Sequence, residues 1–285
     1  MRKLLSLRTK ITAICGDPMN DVSVSQLWNA KYIYESTYDT YSDDKAILLG
    51  RPAAFVPMTA IIGGAMLTYH QRILPIILCQ WAYQTFQLAI RYAERPHSSV
   101  VTDSDLLTGY AAGTVGAIST ALLYHKIFKC SAPIIARMGP LAAVIVGTCI
   151  SIPVTRYREL DEGIPIYDEK ERKLGYSTKA AQHSVLMDVS RQLLVQIPPL
   201  LLAPFYMEYL DERGTLCRYP YMNLPNQMLF VGLFTALFTP FLRALIPEKG
   251  SMSFTSLQED LQDCIVRRTG VCPLKVFYRL SMSPT

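Results

Sequence analysis

Several long runs of this chain contain no charged residue, and these runs limit its possible folds more than any other feature. They cover residues 73–90, 106–124, 138–155, 192–207 and 219–242. A helix needs about 20 apolar residues to cross the hydrocarbon core of a bilayer. The shortest run, 192–207, reaches that length by taking in neighbouring polar residues. The pattern predicts an all-α polytopic membrane helix bundle with about five transmembrane helices.

A further uncharged segment precedes the first of these runs. It covers residues 55–69, contains Pro57 and ends shortly before Arg72, the single charged residue in front of Ile73. Two complete membrane crossings joined by so short a connection are hard to build. We therefore expect residues 55–69 to form a half-helix or an interfacial segment, with a sixth span as the alternative.

Polar segments outside these runs predict smaller elements. Residues 23–36 and the region that follows Ser256 have apolar residues at helical spacing, which predicts a short amphipathic helix near each end of the chain. In the polar loop 156–188, apolar residues flank a charged turn at 168–171, a pattern typical of a β-hairpin. Ser177 is then placed to cap the helix that follows. The predicted domains are an N-terminal polar region 1–50, a transmembrane bundle 51–247 and a C-terminal amphipathic tail 248–285.

Composition argues against several classes of function. Only 18% of the residues are charged, against about 25% in soluble domains. The net charge of +5 is not gathered into a basic run or stripe, so nucleic acid is not an expected partner. Seven cysteines, an odd number with no CxxC pair, predict free thiols. The four histidines are scattered and no hydrolase, metalloprotease or phosphate-loop motif occurs, so we expect no enzyme activity, no metal and no cofactor.

The first long run carries an unusual number of polar side chains. Gln80, Gln84 and Gln87 are four and three residues apart, so a helix places them on one face, and Tyr83 lies beside them. An amide in hydrocarbon is costly unless it is hydrogen-bonded. The face must therefore meet another helix or water. Two interpretations stay open: hydrogen bonds that join helices, or the lining of a site for a polar substrate.

The third run adds hydroxyl groups and is followed by a basic residue. Thr148 and Ser151 can bond to the backbone or to a substrate. Arg156 can meet a substrate carboxylate or extend to the membrane surface as an anchor. No acidic residue is expected deep in a span, which argues against proton transport through a carboxylate relay. The candidate substrate-binding residues are Gln80, Tyr83, Gln84, Gln87, Thr148, Ser151 and Arg156.

Prolines recur within the runs, and the fourth run contains the pair Pro198-Pro199. Neighbouring helices in a membrane can satisfy the carbonyl groups that proline leaves without a partner. The pair therefore predicts either a packing kink or a broken helix that lines a substrate cavity.

Short motifs in a fixed order resemble the sideroflexin family over about residues 24–265. The matching motifs are Leu27-Trp28-Asn29-Ala30-Lys31-Tyr32-Ile33-Tyr34, Gly50-Arg51-Pro52-Ala53-Ala54, Val56-Pro57-Met58, Gln80-Trp81, Thr114-Val115-Gly116-Ala117, Pro140-Leu141-Ala142-Ala143-Val144, Arg158-Glu159-Leu160, Gly163-Ile164-Pro165, Leu174-Gly175, Ser190-Arg191 and Pro247-Glu248-Lys249-Gly250-Ser251-Met252-Ser253.

The resemblance implies a mitochondrial inner-membrane carrier with about five spans. Its implied substrate is a small amino acid that feeds one-carbon metabolism, serine first, with alanine, glycine and cysteine as alternatives, and its other partner is the lipid bilayer. At Asp39 to Asp44 the chain has Asp-Thr-Tyr-Ser-Asp-Asp where the family pattern has His-Pro-Asp-Thr-Gly-Glu. This difference motivates a second hypothesis, a non-transporting membrane scaffold that assists the assembly of respiratory complexes.

Overall fold

The helices of this chain follow its uncharged runs. A computed structural model describes residues 52–93, 101–128, 133–167, 173–214, 220–245, 249–254, 258 and 275–279. The helices are α1 (Pro52–Thr68), α2 (Ile73–Ala93), α3 (Asp103–Ile127), α4 (Pro133–Arg137), α5 (Gly139–Thr155), α6 (Tyr157–Glu162), α7 (Thr178–Glu212) and α8 (Asn223–Leu245). The strands are β1 (Ile164–Tyr167), β2 (Lys173–Ser177), β3 (Lys249–Ser253) and β4 (Lys275–Arg279), and a short 3-10 helix covers Pro220–Met222.

The predicted membrane bundle is confirmed. Within the described part of the chain, 5 helical segments are long and apolar enough to cross a membrane, and each contains or overlaps one of the uncharged runs. They are α2, α3, α4 together with α5, α7 and α8. The helices pack as a closed ring in the order α1, α2, α3, α5, α7, α8, because each contacts the next and α8 returns to α1. Contacts across the ring also join α2 to α5 and α1 to α7, so one face of each helix is buried against its neighbours.

Close helix packing in the ring depends on glycine. A Cβ atom on Gly109 of α3 would lie 1.9 Å from the Thr155 hydroxyl oxygen, and one on Gly113 would lie 2.6 Å from the Ser151 Cβ. Both contacts are too short for real atoms, so only glycine lets α5 approach α3 at these points. Small residues are the usual means of close approach between membrane helices.

The segment predicted at 55–69 forms most of α1, a helix of 17 residues. It ends at a turn over residues 69–72, and α2 begins directly afterwards. Ile62, Met66 and Leu67 of this helix are buried in the main hydrophobic core. A Cβ on Gly64 would meet the Met228 side chain at 2.5 Å, so α1 lies tightly against α8. This packing favours the half-helix form over a segment that lies at the membrane interface.

The longest helix, α7, has 35 residues and runs through Pro198, Pro199 and Pro204 without interruption. At 1.5 Å per residue its length is about 52 Å, well beyond the roughly 30 Å of the hydrocarbon core. The predicted extension of run 192–207 into neighbouring polar residues is therefore confirmed. Because α7 is continuous, the proline pair does not create a broken helix.

The hairpin predicted in the 156–188 loop is present as β1 and β2, paired antiparallel with Ile164 opposite Ser177. The Ser177 hydroxyl also accepts a bond of 3.3 Å from the Ala180 backbone N–H, so the predicted helix cap is confirmed. The sequence reasoning did not predict that the chain after residue 248 adds two strands. They complete a four-stranded sheet of order β2-β1-β4-β3. The predicted amphipathic helices at 23–36 and after Ser256 lie outside the described residues, apart from Gln258.

The sheet covers one end of the bundle. Its apolar face packs on the first turns of α7 through a buried cluster formed by Ile164, Ile166, Ala180, Ala181, Phe254, Val276 and Tyr278. We call this the sheet end. The turn at 69–72 and the last turn of α3 lie together at the opposite end, where the His125 ring donates to the Gln71 carbonyl at 3.0 Å. We call this the histidine end, after His70 and His125.

Candidate functional site: a polar interior

Polar side chains form stripes along three of the ring helices. The buried members on α2 are Gln80, Gln84, Gln87 and Arg91; on α5 they are Thr148, Ser151 and Thr155; on α7 they are Ser184, Asp188 and Gln196, with Gln192 partly buried between them. Within each stripe the residues are three or four apart, which is the spacing of one helix face. Because these faces point into the ring, the interior of the bundle is polar along much of its length.

Hydrogen bonds join the stripes at the middle of the bundle. The Gln87 amide donates to the Tyr83 hydroxyl at 2.9 Å and accepts from the Gln192 amide at 2.8 Å. Arg91 donates to the Gln192 carbonyl oxygen at 3.3 Å and also to the Ser151 hydroxyl. The chain of contacts crosses from α2 to α7 and on to α5. It confirms that the glutamine face meets other helices, as the first interpretation of that face required.

Two amides of the same face leave a polar atom without any partner among the described residues. The atoms are the carbonyl oxygen of Gln80 and the amide nitrogen of Gln84. The two residues are only 2% and 3% exposed. A buried polar group without a hydrogen bond costs roughly 1–3 kcal/mol of stability. Native structures rarely keep such groups without a reason, and a ligand or a water molecule is the ordinary one.

A glycine on α5 lets the Gln84 amide pack closely against that helix. A Cβ on Gly147 would lie 2.3 Å from the Gln84 amide nitrogen, so any larger residue would displace that amide. The next residue of α5, Thr148, donates its hydroxyl hydrogen to the Gln196 carbonyl oxygen across 3.4 Å, a long bond. A hydroxyl held by so long a bond can exchange its partner for a small polar molecule.

A cleft leads from the histidine end toward these amides. Its outer part has a volume of about 300 Å³ and is lined by His70, Gln71, Tyr124, His125, Phe128 and Ala136. Its inner part is narrow, with about 20 Å³ of space for water, and is lined partly by the same residues and also by Gln80. The polar interior is therefore approached from the histidine end.

The sheet end is closed by buried charges instead. Arg156 is fully buried, donates to Glu159 at 2.7 Å and to the Ser184 hydroxyl at 3.0 Å, and contacts the Asp188 carboxylate. Arg191 lies 3.8 Å from the other Asp188 oxygen. The expectation that Arg156 anchors at the membrane surface is wrong, because a side chain with carboxylate partners inside the protein does not reach that surface.

The same cluster contains a buried acidic residue that the sequence reasoning did not single out. Asp188 lies in α7, four residues before the uncharged run 192–207 begins, with its side chain only 4% exposed.

The structure brings together most of the predicted site residues. Tyr83, Gln84, Gln87, Thr148 and Ser151 all face the polar interior, and Gln80 lies where that interior meets the cleft. Arg156 belongs to the separate charge cluster at the sheet end.

Sequence reasoning missed Arg91, Gln192 and Gln196. Arg91 closes the α2 stripe, four residues beyond Gln87. The regular four-residue spacing of Ser184, Asp188, Gln192 and Gln196 would have revealed the α7 stripe.

Comparison with known proteins decides the relationship that the motifs indicated. The family model described as sideroflexins matches residues 6–279. The chain belongs to the sideroflexin family. This sideroflexin is 39% identical to Sideroflexin-1 of Rattus norvegicus over 241 residues, which cover 85% of this chain and 75% of that protein. It is 39% identical to Sideroflexin-1 of Homo sapiens, covering 84% and 74% of the two chains.

A second sideroflexin type is nearly as similar. The chain is 35% identical to Sideroflexin-3 of Homo sapiens, over 85% of its own length and 75% of that protein. No solved structure matches the chain. Family membership and the membrane-length helices together establish this sideroflexin as a multi-pass membrane protein.

The described residues offer no grouping for a metal ion. In the ranges that the structure covers, no set of three or more His, Cys, Asp or Glu side chains comes together. Cys79 and Cys149 are free thiols, as predicted for the cysteines. The polar interior contains amides, hydroxyls, Arg91 and the Asp188 carboxylate, which bind polar groups through hydrogen bonds.

Proposed function

We propose that this sideroflexin carries a small polar amino acid, serine first, across the mitochondrial inner membrane and so supplies one-carbon metabolism. The observation that carries the proposal is the pair of unpartnered, buried amide atoms on Gln80 and Gln84, of which Gln80 lines the inner end of a cleft. Transport needs no covalent step. It needs a polar site inside the membrane that opens to each side in turn.

The two amide atoms suit the two charged groups of an amino acid. An ammonium group only donates hydrogen bonds and matches the Gln80 oxygen, whereas a carboxylate only accepts and matches the Gln84 nitrogen. Residues four apart on a helix face lie about 5–6 Å from each other, a separation that one small zwitterion can bridge. The buried hydroxyl groups of Thr148 and Tyr83, which bond Gln196 and Gln87, are available to bond a substrate hydroxyl.

Small size follows from the packing around the amides. The inner cleft has only about 20 Å³ of space for water, and the Gln84 amide packs directly against Gly147. A substrate with a large side chain would require the ring of helices to separate. Serine, alanine, glycine and cysteine are the amino acids that fit this restriction.

Uptake into vesicles tests the proposal. We expect vesicles that contain the purified protein to take up labelled serine, and the Gln84→Leu variant to lose uptake because leucine cannot donate to a carboxylate. A matched control is Leu78→Ala on the same helix, which is 52% exposed on the outside of the bundle. Absence of uptake above empty vesicles for serine, alanine, glycine and cysteine would contradict the proposal.

Cells distinguish the scaffold hypothesis from transport. A cell line that lacks serine import into mitochondria is complemented with the wild-type chain or with the Gln84→Leu/Gln87→Leu variant. Transport predicts rescue by the wild type alone. Equal rescue of respiratory-complex assembly by both chains, with no serine import by either, would favour a scaffold.

A further inference from the structure

We propose that His70 and His125, at the mouth of the cleft, bind the ammonium group of the substrate and make the carrier selective for primary amines. The inference rests on the proposed function, since it assigns an additional part of the same site. It concerns residues that lie outside the glutamine face and that the sequence reasoning treated as scattered border residues.

Backbone carbonyls determine which nitrogen of each ring is available. The His70 Nδ1 atom lies 2.7 Å from the Leu67 carbonyl oxygen, and the His125 Nε2 atom lies 3.0 Å from the Gln71 carbonyl oxygen. A carbonyl can only accept, so each of these nitrogens carries a hydrogen. In a neutral ring the other nitrogen then has a lone pair. Each ring in its neutral form therefore keeps one acceptor nitrogen, and both rings line the outer part of the cleft.

The electrostatic surroundings keep the first of these rings neutral. Burial lowers the pKa of His70, and the nearby charge of Arg137 lowers it further, while the bond to the Leu67 carbonyl opposes them. Arg137 itself is bound to Asp211 at 2.7 Å, so its charge is partly balanced. At neutral pH His70 therefore accepts hydrogen bonds and does not repel a cation.

Aromatic rings complete the wall of the cleft. Tyr124 and Phe128 lie with their ring centroids 4.4 Å apart, and both line the outer part together with the two histidines. The faces of such rings attract cations when these lie within about 6 Å of the centroid. Among the described residues, none that lines the outer part carries a carboxylate. The mouth thus provides lone pairs and ring faces, which suit an ammonium group.

The mouth and the inner site form one path for that group. His70, Tyr124, His125 and Ala136 line both parts of the cleft, and the inner part ends at Gln80, whose unpartnered atom is also an acceptor. The donor nitrogen of Gln84 lies one turn deeper on α2. A substrate that enters with its carboxylate leading would therefore keep its ammonium group in contact with acceptors, first at the histidines and then at Gln80.

A transition-metal ion is the competing ligand for two imidazoles. Structural zinc sites use four protein ligands and catalytic ones three. Among the described residues no third His, Cys, Asp or Glu joins the pair. The ring faces of Tyr124 and Phe128 also have no role in metal coordination. These observations favour the ammonium group over a metal ion as the ligand of the two histidines.

Equilibrium binding to the purified protein in detergent tests the inference. The probes are serine and glycerate, in which a hydroxyl replaces the ammonium group. The variant His125→Phe removes the lone pair and keeps a ring, and we expect it to weaken serine binding about tenfold, the effect of one hydrogen bond to a charged group. Glycerate binding should stay within about twofold of its wild-type value. The variant His125→Gln restores an acceptor and should recover most of the serine affinity.

The control is Ile127→Phe, which introduces the same side chain on the outside of α3, where Ile127 is exposed. This variant should bind serine and glycerate with the wild-type affinities. Equal weakening of serine and glycerate by His125→Phe would show a structural role and overturn the inference, as would no change at all. Micromolar zinc binding that His125→Phe abolishes without affecting serine would overturn it in favour of a metal site. If the wild-type chain binds no serine, the proposed function fails and the inference fails with it.

Discussion

Arg156 and Asp188 form a contact between buried side chains at the sheet end, and this contact joins the end of α5 to the first half of α7. Removal of one partner from a buried ion pair leaves the other charge uncompensated and typically costs about 3–5 kcal/mol. We therefore expect Asp188→Leu to lower the melting temperature of the purified protein strongly. The measurement is a thermal melt in detergent.

An exposed ion pair provides the control for that experiment. Arg158 lies 3.1 Å from Asp105 but is 47% exposed. Surface pairs contribute about 0–1 kcal/mol, so Arg158→Ala should change the melting temperature little. Similar shifts for Asp188→Leu and Arg158→Ala would show that burial of the Arg156 cluster does not stabilise the sheet end.

The contact of α3 with α5 should be sensitive to single methyl groups. At Gly109 the added Cβ would meet Thr155 at 1.9 Å, with the Ser151 backbone 3.0 Å away. Overpacking of this kind costs about 1–3 kcal/mol, so Gly109→Ala should lower the melting temperature. At Gly116 the nearest atom is the end of the flexible Ile150 side chain, at 2.5 Å. Gly116→Ala should therefore have the smaller effect, and the reverse order would contradict the described packing.

The sheet should behave as one unit with the start of α7. Ile166 is 1% exposed and lies at the centre of the apolar cluster under the sheet. Ile→Ala in a core costs about 2–5 kcal/mol, so Ile166→Ala should speed hydrogen exchange in β1 and also in its partner β4. The control Tyr176→Ala removes an exposed ring from β2. Faster exchange in β1 alone, with β4 unaffected, would contradict the observed pairing of the two strands.

Stability should depend on pH through His70. Its pKa is lowered from 6.5 by burial, so the unfolded chain binds a proton in a pH range where the folded protein does not. Stability is then complete above pH 6.5 and declines as the pH falls through the lower pKa of the folded state. Melting temperatures measured from pH 7.5 to 5 should fall less in His70→Phe than in the wild type. An identical decline in both proteins would show that His70 does not cause the pH dependence of stability.

The bundle could be predicted because a membrane imposes its requirements on composition. Uncharged runs of sufficient length reveal the spans, and a charged turn between apolar pairs reveals the hairpin. Strand β3 could not be found this way, because residues 249–253 contain a single large apolar residue and pair only with β4. Strand β4 has a local signal in Val276, Phe277 and Tyr278, which the sequence reasoning overlooked. The stability of both strands comes from contacts between distant parts of the chain.

The site was predictable to a similar extent and for similar reasons. Helical spacing revealed the glutamine face and the hydroxyls of α5. The role of Arg156 depends on Asp188, a residue 32 positions away, and no local pattern connects the two. The cleft at the histidine end likewise arises from His70 and His125, which come together only when α2 and α3 pack as antiparallel neighbours.

Binding of labelled serine to the purified protein tests the central claim most directly, because it depends on neither orientation nor driving force. The wild-type chain should bind serine saturably, whereas Gln80→Leu and Gln84→Leu should lose binding while their melting temperatures stay level or rise, since each removes a buried polar atom without a partner. Serine binding that both variants retain unchanged would contradict the assignment of the polar interior as the substrate site.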